Sequence, residues 1–192
     1  MLSTEQLQQI SKTYAAIKVW FDGFEQLDFN HLDDVMANAK MLKKFHSVHT
    51  HNQILYNAKQ KLSLIATEIN HHHVNGVAPA LSNQLHWLII RELDKDYGHI
   101  LIHPESFSHK LSDFFNVDEF DFQQNPEFSQ RYHFSSTQPA KAYEFAKPER
   151  LRTIEKVNDL VIEINENKLF ASCTRELNAA DCVNLVGVIS HI

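Results

Sequence analysis

Histidine is the side chain of this sequence best suited to chemistry, since the 192 residues hold thirteen of them and several crowd together. His46, His49 and His51 form one group, and His71, His72 and His73 form another. Imidazole is the commonest transition-metal side-chain ligand, and a catalytic zinc needs about three converging protein ligands with one position open. The first group is therefore the candidate metal site, which would make the chain a metal-dependent hydrolase. Against that reading, no carboxylate follows closely enough to serve as base or bridge. The competing account gives His46 to a helix C-terminal dipole and leaves His49 and His51 as solvated loop residues. Three adjacent histidines on a helix point in different directions and cannot share one ion. The two groups stand at opposite ends of an expected helix, roughly 30 Å apart at ~1.5 Å per residue, so they are not expected to meet.

Other chemistries find less support. No G-x-S-x-G is present, and neither Cys173 nor Cys182 sits among the cations that activate a thiolate, so both are read as structural. Four glycines leave no phosphate-cradling loop, which argues against ATP and NAD. No catalytic residue is assigned and no cofactor is expected. The net charge of −6, with no basic run longer than Lys43-Lys44, gives no footprint for nucleic acid. Titration of the histidines makes that charge much less negative below neutral pH.

The longest apolar stretch, Leu85 to Ile90, already contains His86 and falls far short of the roughly 20 residues of a membrane span. No signal or transit peptide is read at Met1–Glu5, and two cysteines do not make a disulfide framework, so the expected compartment is the cytoplasm.

The elements that would position these groups read as follows. Ser3-Thr4-Glu5-Gln6 has the form of a capping box, and behind it Leu7, Ile10, Tyr14, Ile17, Phe21 and Phe24 recur at spacings of three and four. This is one helix with one apolar stripe, ending near Asp22-Gly23, and the stripe is the expected surface for self-association or a protein partner. Asn30 starts a second helix through Phe45. Thr50-His51-Asn52-Gln53 offers a capping box for a third, carrying Ile54, Leu55, Ala58, Leu62, Ile65 and Ile69. Residues 85–93 are ambiguous by period, but with turn chemistry at Asp94–Gly98 and His99–Ile102 beyond they predict a β-hairpin. Pro104 opens a short helix, Tyr132–Phe134 is a strand, and Pro139 and Pro148 each begin a helix. Leu160–Ile164 and Lys168–Ser172 predict a hairpin across Asn165-Glu166-Asn167, and Asn178 caps a last helix. The expected fold is α+β, with an N-terminal helical layer over residues 1–78. A small, mainly antiparallel sheet covered by helices follows over 79–192, the whole forming one compact structure.

From about His99 to Phe170 the sequence resembles a family of uncharacterised bacterial proteins, often membrane-associated. The resemblance lies in Pro104-Glu105, His109-Lys110-Leu111, Glu119-Phe120-Asp121-Phe122, Pro126-Glu127-Phe128-Ser129 and Tyr132. Glu119 stands where the family pattern has Asp. The resemblance implies an architecture and no activity; by analogy with the membrane-associated members it admits a soluble domain docking on a membrane complex.

The same residues have a direct physical reading. Asp121 and Glu127 flank a turn and can accept backbone N–H bonds, while Phe120, Phe122 and Phe128 pin it to a core. Alternatively Glu119, Asp121, Phe122, Glu127, Phe128 and Tyr132 form a binding surface, since function favours loops. The functional expectation is a non-enzymatic binding or assembly protein, with the metal-dependent hydrolase and the membrane-docking domain as its rivals.

Overall fold

The computed structural model describes residues 3–26, 39, 48–73, 80–106 and 118–192. The chain is mixed α/β and divides into two compact units with antiparallel strands in each. One unit comprises Met1–Leu88 with Arg175–Val183, and the other Ile89–Thr174 with Asn184–Ile192.

In the first unit, helix α1 (Thr4–Ile17) begins where its capping box requires. Ser3 Oγ accepts from the Gln6 amide at 3.1 Å, and Gln6 Oε1 accepts from the Ser3 amide at 2.9 Å. The helix tightens to a 3₁₀ turn at Lys18–Trp20, and the chain then enters strand β1 (Gly23–Gln26). Phe24 therefore lies on a strand and not on the helical stripe. Ile10, Tyr14 and Ile17 are buried, with the Tyr14 ring edge-on to Trp87 at 5.5 Å. Burial, and next to it the Cys182 sulfur, pushes the Tyr14 hydroxyl pKa up to about 12. Three of the six stripe residues are thus spent on this chain's own core, while Phe21 is half-buried and Leu7 is 52% exposed.

The third expected helix is not formed. Its residues fold as β2 (Val48–Asn57) and β3 (Leu62–His73), an antiparallel pair in which Asn57 faces Leu62 and Val48 faces Ile69. The turn between them places Lys61 at φ 48°. Leu62, Leu64, Ile65 and Ala66 are all buried, so both faces of β3 are covered there. A two-sided apolar strand loses the alternation that would have marked it as a strand. The helical layer expected over 1–78 is not confirmed: its described residues form one helix, one 3₁₀ turn and three strands. The second expected helix, from Asn30 to Phe45, lies outside the described residues apart from Ala39. The strand order in this unit is β1-β2-β3-β4, where β4 (Ala80–Glu92) settles residues 85–93 as a strand. The boundary between the units falls within β4.

The second unit has the order β4-β9-β8-β5-β7-β6, built from β5 (His99–Pro104), β6 (Asp118–Glu119), β7 (Tyr132–Ser136), β8 (Leu160–Asn165) and β9 (Lys168–Cys173). The sheet is larger than expected. β4 and β5 are both strands but do not pair; β9 and β8 lie between them. The β8–β9 hairpin forms with Asn165 facing Lys168, and Glu166 takes the left-handed conformation that its short turn demands, φ 58°. Helices α2 (Pro126–Arg131), α3 (Pro139–Phe145) and α4 (Pro148–Ile154) each carry proline in the first turn. The last helix, α5 (Ala179–Ser190), begins after Asn178, whose side chain accepts from the Asp181 amide at 3.0 Å. Pro104 ends β5, a helical turn begins at Glu105–Ser106, and the rest of the expected helix, over 107–117, lies outside the described residues. No helix among the described residues is long and apolar enough to cross a membrane.

Gly98 holds the approach to β5. Its φ is +72°, its amide donates to Asp96 Oδ1 at 2.6 Å, and a Cβ there would lie 2.9 Å from the Gln138 side chain. Gly98→Ala should lower stability by about 1–2 kcal/mol, because backbone strain and crowding add. Urea denaturation checks this, and an unchanged midpoint would contradict it.

Candidate functional site

Alternation along a strand sends successive side chains to opposite faces, and residues directly opposed across a ladder share a face. In the second unit, Tyr132 and Phe134 of β7 point to the face packed by helices: Phe128 of α2 stacks on Tyr132 at 5.5 Å, and Phe145 of α3 lies 6.4 Å from Phe134. The Tyr132 hydroxyl donates to the Val157 carbonyl on the same side. His133 and Ser135 point to the other face. Through the pairs His133–His103, Ser135–Leu101 and Leu101–Glu163, that face also carries His99, His103 and Glu163.

This second face is both buried and polar. Glu163 is 1% exposed, and its Oε1 lies 3.2 Å from His99 Nε2. His103 is buried, its ring 5.1 Å from that of His133, and its Nδ1 donates to the Pro104 carbonyl at 3.0 Å. His133 Nε2 is paired with Glu105 Oε2 at 2.8 Å. Burial pushes the His103 pKa below its ordinary value; the Pro104 carbonyl opposes this, the neighbouring His133 adds to it, and Glu105 and Glu119 oppose it. The face carries two carboxylate–histidine pairs, His99–Glu163 and His133–Glu105. Sequence reading passed over His99, His103, His133 and Glu163. Their signal was the lone polar side chains recurring at even spacing in otherwise apolar strands.

His103 makes stability depend on pH. Its folded pKa lies below the unfolded value, so the unfolded chain takes up the proton first as pH falls. The stability that this neutral histidine contributes is present above about pH 6.5 and is lost below it, towards the depressed folded pKa. Between about pH 7.5 and 5.5, wild type should lose more stability than His103→Gln in paired urea titrations. Equal losses would contradict this assignment.

The expected binding surface has a different construction. Phe128 is fully buried and Tyr132 nearly so, which makes both of them core. The turn is fastened by the Asn125 amide donating to the Phe122 carbonyl at 2.8 Å and by Ser129 Oγ accepting from the Phe122 amide at 2.9 Å. Among the described residues the Asp121 and Glu127 carboxylates make no such bond, and both are exposed. Phe120 and Phe122 are half-buried and stack at 6.4 Å with planes 13° apart. Phe122 rests edge-on against Phe134 at 5.1 Å, so the pair stands on the core. Tyr143 of α3 extends the row, edge-on to Phe120 at 5.3 Å and itself 62% exposed. Tyr143 was not foreseen from the sequence; its signal was an aromatic lying off the helical face shared by Ala142 and Phe145.

Charged side chains of the neighbouring segments divide into two sets. Lys141 is paired with Asp96 at 2.5 Å, and Lys95 with Glu144. Asp118, Glu119, Asp121 and Glu127 are exposed and have no ion-pair partner among the described residues.

For the expected metal site, His46 lies outside the described residues. His49 and His51 belong to β2, and His71, His72 and His73 end β3. The register sets His49 opposite Glu68, so the backbones of both groups run to the same end of one antiparallel pair. The separation of about 30 Å expected from a helix does not arise. Among the described residues no group of three or more His, Cys, Asp or Glu is arranged to hold a metal ion. Comparison with family models, with curated protein sequences and with solved structures finds no match.

Proposed function

We propose that this chain is a non-enzymatic binding protein that receives a protein partner on the aromatic row Tyr143, Phe120 and Phe122. The observation that carries the reading is Tyr143, an aromatic ring 62% exposed and braced by Phe120 instead of lying free. Aromatic anchors on rigid supports are what interfaces use for affinity, because they offer large contact area and lose little side-chain freedom. The α1 stripe supports self-association less well, since Ile10, Tyr14 and Ile17 are buried.

The test compares affinity capture from cells by the wild-type chain and by Tyr143→Asp, with circular dichroism to verify equal folding. A protein retained by wild type and lost by the variant supports the reading. An identical captured set from both overturns it.

The β2–β3 register favours one second reading, a metal site at the end of that hairpin where both histidine groups run. Tag-free protein would then carry about one equivalent of zinc, and elemental mass spectrometry of wild type and of a His49→Ala, His71→Ala variant decides it. Metal-free wild type after growth and dialysis with zinc would remove that reading.

A further inference from the structure

The outward side of α1 ends in an apolar tip among lysines. Ile10, Thr13, Tyr14 and Ile17 are buried, so helical spacing turns Lys12, Ala15 and Val19 outward, and all three are exposed. Val19, in the 3₁₀ turn that closes the helix, is 84% exposed, more than either Leu7 or Tyr143. Exposure of that extent means that little of the first unit flanks the side chain. Val19 therefore stands on a convex tip, with half-buried Trp20 beside it.

Lys18 precedes Val19 and is exposed. The Asn57 side-chain amide donates to the Trp20 carbonyl at 2.5 Å, and the Asp22 amide donates to the Tyr56 carbonyl at 3.0 Å. These bonds fasten the tip to the β2–β3 turn, which carries exposed Lys59 and Lys61. Lys12, Lys18 and Lys59 have no ion-pair partner among the described residues. No acidic residue occurs between Gln6 and Phe21, and the Asp22 carboxylate accepts from the Ala58 amide at 2.9 Å. This end of the unit is thus locally cationic in a chain of net charge −6.

From this combination we infer that the first unit docks on an anionic lipid surface, Val19 and Trp20 entering the headgroup layer while the lysines meet lipid charge. Tryptophan favours the membrane–water interface, and each lysine held near an anionic leaflet strengthens attachment. A fluid bilayer closes around a convex tip, whereas peptides and small anions are recognised in grooves that surround them. The negative charge carried elsewhere orients the chain with this end towards the lipid. The contact is independent of the Tyr143 row, which belongs to the other unit.

The test sediments the full chain with vesicles of phosphatidylcholine, alone or mixed with phosphatidylserine, and records tryptophan emission. Of the two tryptophans Trp87 is 1% exposed, so an emission shift on binding reports Trp20. The expected result is retention by the mixed vesicles alone, release by added salt and a blue shift. A Lys18→Gln, Lys59→Gln variant should bind about 25-fold more weakly, at roughly fivefold per lysine. Val19→Asp should bind about tenfold more weakly. Circular dichroism verifies that these changes at exposed positions leave the fold intact. Wild type that ignores the mixed vesicles, or retention that both variants leave unchanged, overturns the inference. Retention without an emission shift overturns it too, since the tip would then stay outside the headgroups. Polyglutamate bound in preference to the mixed vesicles would make the partner an acidic protein and overturn the lipid assignment.

Discussion

Phe134→Ala is expected to lower the stability of the second unit by about 3–5 kcal/mol, the usual cost of removing a buried phenyl ring. Phe134 is 1% exposed and is the ring on which the others converge, with Phe122 at 5.1 Å, Phe120 at 5.6 Å, Phe145 at 6.4 Å and Phe128 at 6.5 Å. Its loss removes apolar burial and leaves a space that these neighbours, held on α2, α3 and the loop before α2, cannot all move to fill. The same change takes the support from Phe120 and Phe122, so it should also weaken any ligand of the aromatic row. Phe134→Leu keeps most of the volume and should cost much less. Urea titration of both variants is the check: a loss below about 1 kcal/mol for the alanine variant would mean that Phe134 is not the centre of this core.

Glu163→Ala should cost about 3 kcal/mol. Burying a carboxylate is expensive unless it is well bonded, and removing one member of a buried pair leaves the other desolvated without its partner. Here His99 Nε2 faces Glu163 Oε1 at 3.2 Å on a sheet face that also holds Leu101, Val161 and Phe170 in buried positions. Glu163→Gln keeps the shape and an acceptor oxygen, so its cost should be about 1 kcal/mol, nearer that of one hydrogen bond. Equal losses for alanine and glutamine would contradict this, since they would mean that neither the shape nor the retained acceptor oxygen contributes.

Much of the second unit was legible because its signals are local. Pro139 and Pro148 fix helix starts, Asn178 supplies a cap, and the turn residues Asn165-Glu166-Asn167 mark the hairpin between Leu160–Ile164 and Lys168–Ser172. The capping box at Ser3 was legible for the same reason. Reading failed where an element is defined by what lies far away in sequence. Ile54, Leu55, Ala58, Leu62, Ile65 and Ile69 fit helical spacing, but Leu64 and Ala66 are buried as well, and that two-sided burial makes the segment a strand. The β-branched residues Ile65, Thr67 and Ile69 were the available hint. The order β4-β9-β8-β5 could not be read locally either, since the turn at Asp94–Gly98 leads a strand away from its sequence neighbour. The aromatic row was half legible. Phe120 and Phe122 lie on the loop singled out from sequence, whereas Tyr143 joins them from a helix that only the fold brings near.

Site-specific crosslinking tests the binding reading most directly. A benzophenone side chain is placed at Tyr143 in the full chain and irradiated in living cells, with the same label at exposed Lys156 as the comparison. The account predicts a discrete covalent adduct to a partner protein at position 143, absent at 156 and suppressed by the additional change Phe120→Ala. No adduct at 143, or the same adducts from both positions, would contradict it.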